Sequence, residues 1–417
     1  MTMMIAGAAS VTEQTCRSCG GPHMDTFLKL GRTPLADRLT TDANRGEVEP
    51  VFPLNVAFCQ DCSLVQITET VNPKILFADA YPYYSSFSQS LLEHSRENVL
   101  DLVERRGLTG DSFVIELASN DGYLLKNYVV ADIPVLGIDP ADGPVAAANK
   151  IGVPTDLAFF TLELAEKLRE QGRQADVIHA NNVLAHVADT NGFVAGVARL
   201  LKDDGVAVIE APYVEPMIDH CEFDTIYHEH LCYFSVTALD NLFRRHGLYL
   251  NEIKHLSIHG GSLRLYVEKI ECVGASVRNQ LAHEKSRGLD AVEYYRDFSA
   301  KVDQLKVGLR SLLHRLKADG ATIAAYGAAA KGATLINTAG IGRDVLDFVV
   351  DRNTHKQGKY MPGQRIPIRP PEALLDAQPD YVLVLAWNFI DEIVAQQSQY
   401  RARGGKFIVP VPIPRII

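Results

Sequence analysis

The chain has 417 residues, of which 47% are hydrophobic and 22% charged, with a net charge of −10. That length calls for two or three domains, and the acidic balance without a basic block speaks against a protein whose main task is gripping nucleic acid. No apolar run reaches the length of a membrane span, and residues 1–11 lack the basic start and long apolar stretch of a secretory signal, so the reducing cytoplasm is the expected compartment.

Four of the seven cysteines fall into two pairs. Cys16-Arg-Ser-Cys19 and Cys59-Gln-Asp-Cys62 share one spacing, which lets both sulfurs of each pair turn toward one tetrahedral ion. Val51 to Phe58 reads as an extended piece leading into the second pair. Zn2+ held by Cys16, Cys19, Cys59 and Cys62 is expected. Four thiolates close the shell and leave no position for substrate, so the metal is expected to be structural. A redox pair would want a βαβ setting, which Cys16 lacks. Cys221, Cys232 and Cys272 are expected to be ordinary buried thiols. Tyr81-Pro-Tyr-Tyr-Ser85 follows and reads either as a lid over substrate, with Tyr81 a hydrogen-bond donor, or as a packing seam between domains.

Ser112 to Leu117 reads as a buried parallel strand. It enters Ala118-Ser-Asn-Asp-Gly122 and then a helical run from Tyr123 to Val130, the opening of a dinucleotide-type fold. The next strand, Pro134 to Ile138, ends in Asp139, about 20 positions past the turn and placed to hold ribose hydroxyls. Only Gly122 remains of a three-glycine turn. Ala118 and Asn120 occupy the other places and leave less room for a pyrophosphate. Glu116 would repel a diphosphate and attract a cationic amino group. S-adenosylmethionine (SAM) has an ammonium, a sulfonium and a ribose but no phosphate, so it fits this turn better than NAD. Asp156 and Phe159-Phe160 follow a short strand, and Phe160 either flanks an adenine or belongs to the core. Asp176 to Ala180 and Gly205 to Glu210 continue the sheet. Tyr249 to Ile258 and Ser262 to Glu268 read as a closing antiparallel pair around Gly260-Gly261.

Ligands of parallel sheets sit beyond the carboxyl ends of the strands. His186 follows one such end. Tyr227-His-Glu-His230 follows another and packs a phenol, a carboxylate and two imidazoles into four residues. Such density suits proton transfer near neutral pH, or metal ligation by His228 and His230. Tyr227 and His230, three apart, are expected to share the face of a helical turn, with Glu229 off that face.

Gln280 to Lys317 reads as amphipathic helical connectors. Thr322 to Tyr326 is a strand entering Gly327-Ala-Ala-Ala-Lys331, and Asp347 to Val350 is another ending in Asp351. This second nucleotide-type unit places Lys331 near a helix N-terminus, suited to a phosphate. Trp387, the only tryptophan, follows the strand Tyr381 to Ala386 and could stack on a base or simply pack. Tyr326, Lys331, Asp351 and Trp387 are therefore the candidates for holding a nucleotide-linked substrate.

The cysteine knuckle, the Glu-Leu-Ala-Ser-Asn-Asp-Gly122 turn, Asn181 to His186, Tyr227-x-Glu-His230 and Tyr-Gly-Ala-Ala-Ala-Lys331 occur in one order. In that order the chain resembles the SAM-dependent sugar C-methyltransferases, which act on nucleotide-linked, usually dTDP-linked, 4-keto-deoxysugars made for antibiotic decoration. The resemblance runs from Cys16 to about Pro414. It implies an α/β architecture with a small N-terminal zinc-binding domain (12–75), a central class I SAM-methyltransferase Rossmann-like sheet (76–272), and a helical connector with a second Rossmann-like C-terminal domain (273–417). It implies that His230 is the general base and that Tyr81, His186, Tyr227 and Glu229 match active-site positions. Members of the family carry an acid where this chain has His228. The expected reaction is SAM-dependent methylation of a carbon beside a ketone, at C3 of a dTDP-linked sugar, with C5 as the alternative. The expected partner is that small molecule, with neither nucleic acid nor membrane; the oligomeric state is open and compatible with a monomer. Two other classes stand beside this reading: an NAD-dependent oxidoreductase using the Gly327 turn, and a non-catalytic zinc-ribbon binding protein.

Overall fold

The computed structural model describes residues 9–76, 84–256 and 261–417. Tyr81, the start of its aromatic segment, and Ile258 and Gly260 of the closing hairpin lie outside the described residues. Strands are numbered in chain order.

The N-terminal module has β1 (Ser10–Thr12), β2 (Met24–Pro34), β3 (Val51–Cys59), β4 (Val65–Ile67) and β5 (Glu69–Val71). β1 pairs with β5, and β2, β3 and β4 form an antiparallel meander. The central sheet has β6 (Val114–Leu117), β7 (Val135–Asp139), β8 (Thr155–Leu157), β9 (Ala175–Asn181) and β10 (Leu201–Pro212). β11 (Cys232–Tyr233) leaves that sheet, and β12 (Tyr249–Leu256) and β13 (Ser262–Glu268) complete it. The order is β12-β13-β10-β9-β6-β7-β8, with only β13 antiparallel to its neighbours. Strands buried on both faces, such as Val-Ile-Glu-Leu117, explain the continuous apolar runs of the sequence. β11 adds to the N-terminal meander instead: Cys232 pairs with Gln66 and Tyr233 with Val65.

The C-terminal sheet holds β14 (Ile323–Tyr326), β15 (Val349–Val350), β16 (Ile368–Arg369), β17 (Tyr381–Val384), β18 (Lys406–Val409) and β19 (Arg415–Ile416), in the order β16-β15-β14-β17-β18-β19. Two helices connect it to the central sheet, Ala275–Arg287 and Glu293–Ala318. On the longer one Tyr295, Phe298, Val302, Leu305, Leu309, Leu313 and Leu316 are buried, at spacings of three or four residues that draw one stripe along a helix. That stripe reaches the zinc module, where Tyr295 stacks within 5.2 Å of Phe27 and 5.0 Å of Phe58. Thr40 and Tyr360 exchange both backbone hydrogen bonds, at 3.1 and 2.8 Å, and Arg365 pairs with Glu49 at 3.2 Å. The N-terminal module is thus strapped to the C-terminal sheet as well.

One cysteine expectation is corrected. Cys221 and Cys232 are buried, but Cys272 is exposed because it lies in the segment between β13 and the first connecting helix, outside the sheet.

Candidate active site

The four paired sulfurs lie within 4.8 Å of one another. Cys16 Sγ and Cys62 Sγ are 3.5 Å apart, and Cys19 Sγ and Cys59 Sγ 3.6 Å. A disulfide needs about 2.05 Å, whereas zinc–sulfur bonds of about 2.3 Å give tetrahedral edges of about 3.8 Å. Proton affinities across the set are uneven. Hydrogen bonding to Cys16 leads in drawing the Cys62 thiol down to about 5, while burial pushes Cys59 up to about 12. Four thiolates so close require a cation, and Zn2+ fits the donor set. Its role is structural, since four sulfurs complete the shell.

The cofactor turn is built by backbone that ordinary residues avoid. Ala118, Asn120 and Gly122 have φ of 57°, 50° and 77°. Asp139 locks the turn by accepting hydrogen bonds from the backbone N–H of Asn120 and of Ala141, both at 2.9 Å. Burial raises the Asp139 carboxyl, and those two donors hold it back. Glu116 is fully buried; burial and then Asp139 push its carboxyl well above the usual range, while Tyr123 draws it down. Glu210, on β10 and separated from Glu116 by β9, is 1% exposed and is paired by Arg264 at 2.7 Å and His94 at 2.9 Å. Burial would raise Glu210, but His94 and Arg264 together keep it below the usual carboxylate range. This end of the sheet therefore holds two acids, Glu116 and Asp139, that burial raises and that a nearby positive charge would relieve. It suits the ammonium and sulfonium of SAM and repels a diphosphate.

Ser85 N–H donates to Asn120 Oδ1 at 2.9 Å and Ser86 N–H to Asp121 Oδ2 at 3.2 Å. The described end of the aromatic segment thus closes over the cofactor turn. Phe160 is half-buried and packs edge-on against Phe193 at 5.3 Å on the margin of the core, while its neighbour Phe159 is 60% exposed. His94 and Arg264 carried no signal in the sequence, because each reaches Glu210 across more than 50 positions.

Tyr227 to His230 is a single hydrogen-bonded turn rather than a helical one, closed by His230 N–H to Tyr227 C=O at 2.9 Å. The turn still brings the two side chains together. Their rings lie 4.0 Å apart and Tyr227 Oη is 2.9 Å from His230 Nε2. His230 Nδ1 is 2.8 Å from the Thr225 carbonyl. A carbonyl only accepts, so Nδ1 carries the hydrogen, and in the neutral ring Nε2 is the acceptor to which Tyr227 O–H donates. His186 stands edge-on to His230 at 4.7 Å. Burial lowers His186 to about 4, so it is a neutral imidazole at physiological pH. Burial and Asp37 raise Glu229 to about 8, making it a largely protonated acid there. His228 points away from this group. Its Nε2–H donates to Pro53 C=O at 3.1 Å, and its ring meets Phe52 edge-on at 5.8 Å. Among the described residues the four cysteines form the one potential metal cluster, so His228 and His230 do not chelate together.

The second turn repeats the device of the first. Asp351 accepts from Ala328 N–H at 2.7 Å and from Asn353 N–H at 2.8 Å. Tyr326 is 5% exposed and packs into a core cluster with Phe348 and Val384. Lys331 holds its ammonium 4.4 Å over the Trp387 ring, and Trp387 Nε1–H donates to Asp224 Oδ2 at 2.7 Å. Two residues expected on a nucleotide therefore face an acid only six positions before His230.

Comparison with known proteins agrees with this architecture. Residues 16–77 match the family model described as "Putative zinc binding domain", 91–253 a methyltransferase domain and 257–412 a C-methyltransferase C-terminal domain. The chain is 37% identical over 405 residues to the C-methyltransferase NovU of Streptomyces niveus, covering 96% of each protein. It is 29% identical over 97 residues to the ubiquinone biosynthesis O-methyltransferase of Bartonella quintana, covering 23% of this chain and 39% of that one. Among solved structures, magnesium protoporphyrin IX methyltransferase from Synechocystis PCC 6803 with bound SAH aligns over 42% of this chain and 82% of its own, at 16% identity and a TM-score of 0.34. With its zinc module, its cofactor sheet and a relative matched almost end to end, the chain belongs to the family of SAM-dependent C-methyltransferases.

Proposed function

We propose that this enzyme methylates C3 of a dTDP-linked 4-keto-deoxysugar, with His230 as the base. The observation that carries the reading is the 2.8 Å contact from His230 Nδ1 to the Thr225 carbonyl, which leaves Nε2 as the proton acceptor. A ketone at C4 acidifies the neighbouring C–H. His230 Nε2 takes that proton, and the electron pair moves through the new carbon–carbon double bond onto the C4 oxygen. SAM, held by Asp139 and the Ala118 to Gly122 turn, would supply an electrophilic methyl on a sulfonium to that enolate carbon. Tyr227 O–H, which lies 2.9 Å from Nε2, turns to the C4 oxygen as negative charge develops there. His186, neutral, and Glu229, protonated, are further donors that bring no full charge of their own. Tyr81 belongs to the same group by its resemblance to family positions. Methylation at C5 would use the same enolate.

His230→Asn is expected to bind SAM normally and to lose methyl transfer to a dTDP-4-keto sugar; near-wild-type transfer would sink the assignment. Deuterium exchange into the sugar, followed by mass spectrometry without SAM, locates the abstracted proton. Exchange at C3 supports the proposal, and exchange confined to C5 replaces it with the neighbouring carbon.

A further inference from the structure

The second nucleotide-type turn has a lysine at its helix N-terminus, and the structure sets that lysine over an indole that is itself bonded to a buried carboxyl of the same chain. Asp224 is 0% exposed and sits on the short helix Phe223–Thr225 of the loop that carries His230. Its Oδ2 accepts the Trp387 indole N–H at 2.7 Å. Lys331 stands 4.4 Å from the same indole and donates to Asn388 Oδ1 at 3.4 Å. Its positive charge acts on both Asp224 and buried Glu222, opposing the rise that burial causes in each. The residue after Asp224 is Thr225, whose carbonyl holds His230 Nδ1 at 2.8 Å. A continuous path therefore runs from the C-terminal sheet through Trp387 and Asp224 to the imidazole.

We infer that Asp224 is a positioning residue for the reaction, and that Lys331 and Trp387 are the latch that holds it, occupied by this internal carboxylate in place of a substrate phosphate. The inference rests on His230 being the base. The C-terminal sheet then serves catalysis by fixing the carbonyl that sets the tautomer and direction of the imidazole. A carboxyl buried this deeply is costly to leave without a hydrogen-bond partner, so the latch closes only when the C-terminal sheet is docked. The consequence is specific: loosening it harms the proton step and spares the binding of substrate. Displacing a reacting group by about 1 Å can cost about a hundredfold in rate.

Trp387→Phe keeps the ring and deletes the donor. It is expected to lower kcat about tenfold or more and to slow deuterium exchange into the sugar in proportion, with KM for the dTDP-4-keto sugar within about threefold and SAM affinity unchanged. Asp224→Asn, which can still accept from the indole, is expected to retain more kcat than Asp224→Ala. Lys331→Met is expected to bind dTDP as tightly as the wild type. A rise in KM of about tenfold for Trp387→Phe, or a matching loss of dTDP affinity in Lys331→Met, would place these side chains on the nucleotide and overturn the latch. Normal kcat and exchange in Trp387→Phe would also overturn it. Should Asp224→Ala fail to fold, Trp387→Phe and Lys331→Met decide the matter alone. His230→Asn in the same exchange assay separates the two readings. If it exchanges normally, the base assignment fails; if it is silent while Trp387→Phe is normal, only the latch fails.

Discussion

Replacing Cys62 by Ser should abolish turnover while leaving SAM binding close to wild type. The reason lies in what the zinc module holds. β11 begins two residues after His230 and pairs with β4, and β3 and β4 are joined by the turn that carries Cys59 and Cys62. Ile67 N–H donates to Leu231 C=O at 3.0 Å, and His228 reaches Pro53 C=O at 3.1 Å. Structural zinc in finger peptides contributes about 10–16 kcal/mol, as much as the whole stability of an ordinary domain, about 5–15 kcal/mol. A meander without its metal therefore has little left to hold it. The hydrogen bonds it gives the loop, at about 1 kcal/mol each, total about 3–4 kcal/mol with the β11 pair included, enough to release His230 from one orientation. Glu116 and Asp139 stand on β6 and β7 inside a different sheet and should keep their places. The assay is amide hydrogen exchange on the zinc-free variant, with SAM titration and methyl transfer measured on the same sample. Protection should fall at Ile67 and Cys232 and persist at Ile115 and Leu136. A zinc-free Cys62→Ser chain with native protection at Ile67 and full turnover would refute the coupling.

Three other outcomes follow from buried charge and backbone. Arg264→Met leaves Glu210 with His94 alone and should cost about 3–5 kcal/mol by urea unfolding. The pairing depresses the Glu210 carboxyl, so its stabilisation is present above the unfolded value of 4.5 and is lost as pH falls through the folded one; the variant should start acid unfolding at higher pH, and an unchanged urea midpoint would contradict the pairing. Gly122→Ala adds a Cβ 3.1 Å from Val153 at a φ of +77°, and should destabilise by about 1–3 kcal/mol and weaken SAM binding. Glu229 has the opposite sign to Glu210. Its folded value of about 8 means that the native state keeps a proton the unfolded state releases above 4.5. Wild-type stability should therefore decline between those values, and Glu229→Gln should flatten the decline in urea midpoints measured from pH 5 to 9.

The parallel sheet was legible because its strands are apolar runs ending in short polar turns, and both the cysteine spacing and the Asp139 interval are local signals. The Tyr227 to His230 cluster was legible as a cluster, but not as a turn. A turn and a helix place residues three apart on one side alike, so composition could not separate them. His228 was unreadable from sequence because its role depends on Pro53, 175 positions away. Its burial against Phe52 explains how an uncharged ring serves where an acid was expected. Lys331 and Trp387 were legible only as a cation and an aromatic ring after strand ends. That Lys331 stands 4.4 Å from the indole, and that the indole N–H reaches Asp224 163 positions away, had no local signal.

That last point bears on why one chain carries two nucleotide-type turns. Asp139 and Asp351 lock their turns alike, each accepting from a backbone N–H of its own loop at 2.9 and 2.7 Å. What surrounds the locks differs in sign. The first is crowded by Glu116, Asp121 and Glu210, which a bound cation would relieve. Around the second stand Lys331 and Lys356, the latter donating to Ala328 C=O at 2.8 Å and acting on Asp37 of the zinc module. A cationic turn of this kind can grip either a ligand or a neighbouring domain. Here the acids on which its lysines act, Asp37, Glu222 and Asp224, come from the two other parts of the chain, so on the latch reading the turn's charge gathers all three parts around the loop that bears His230.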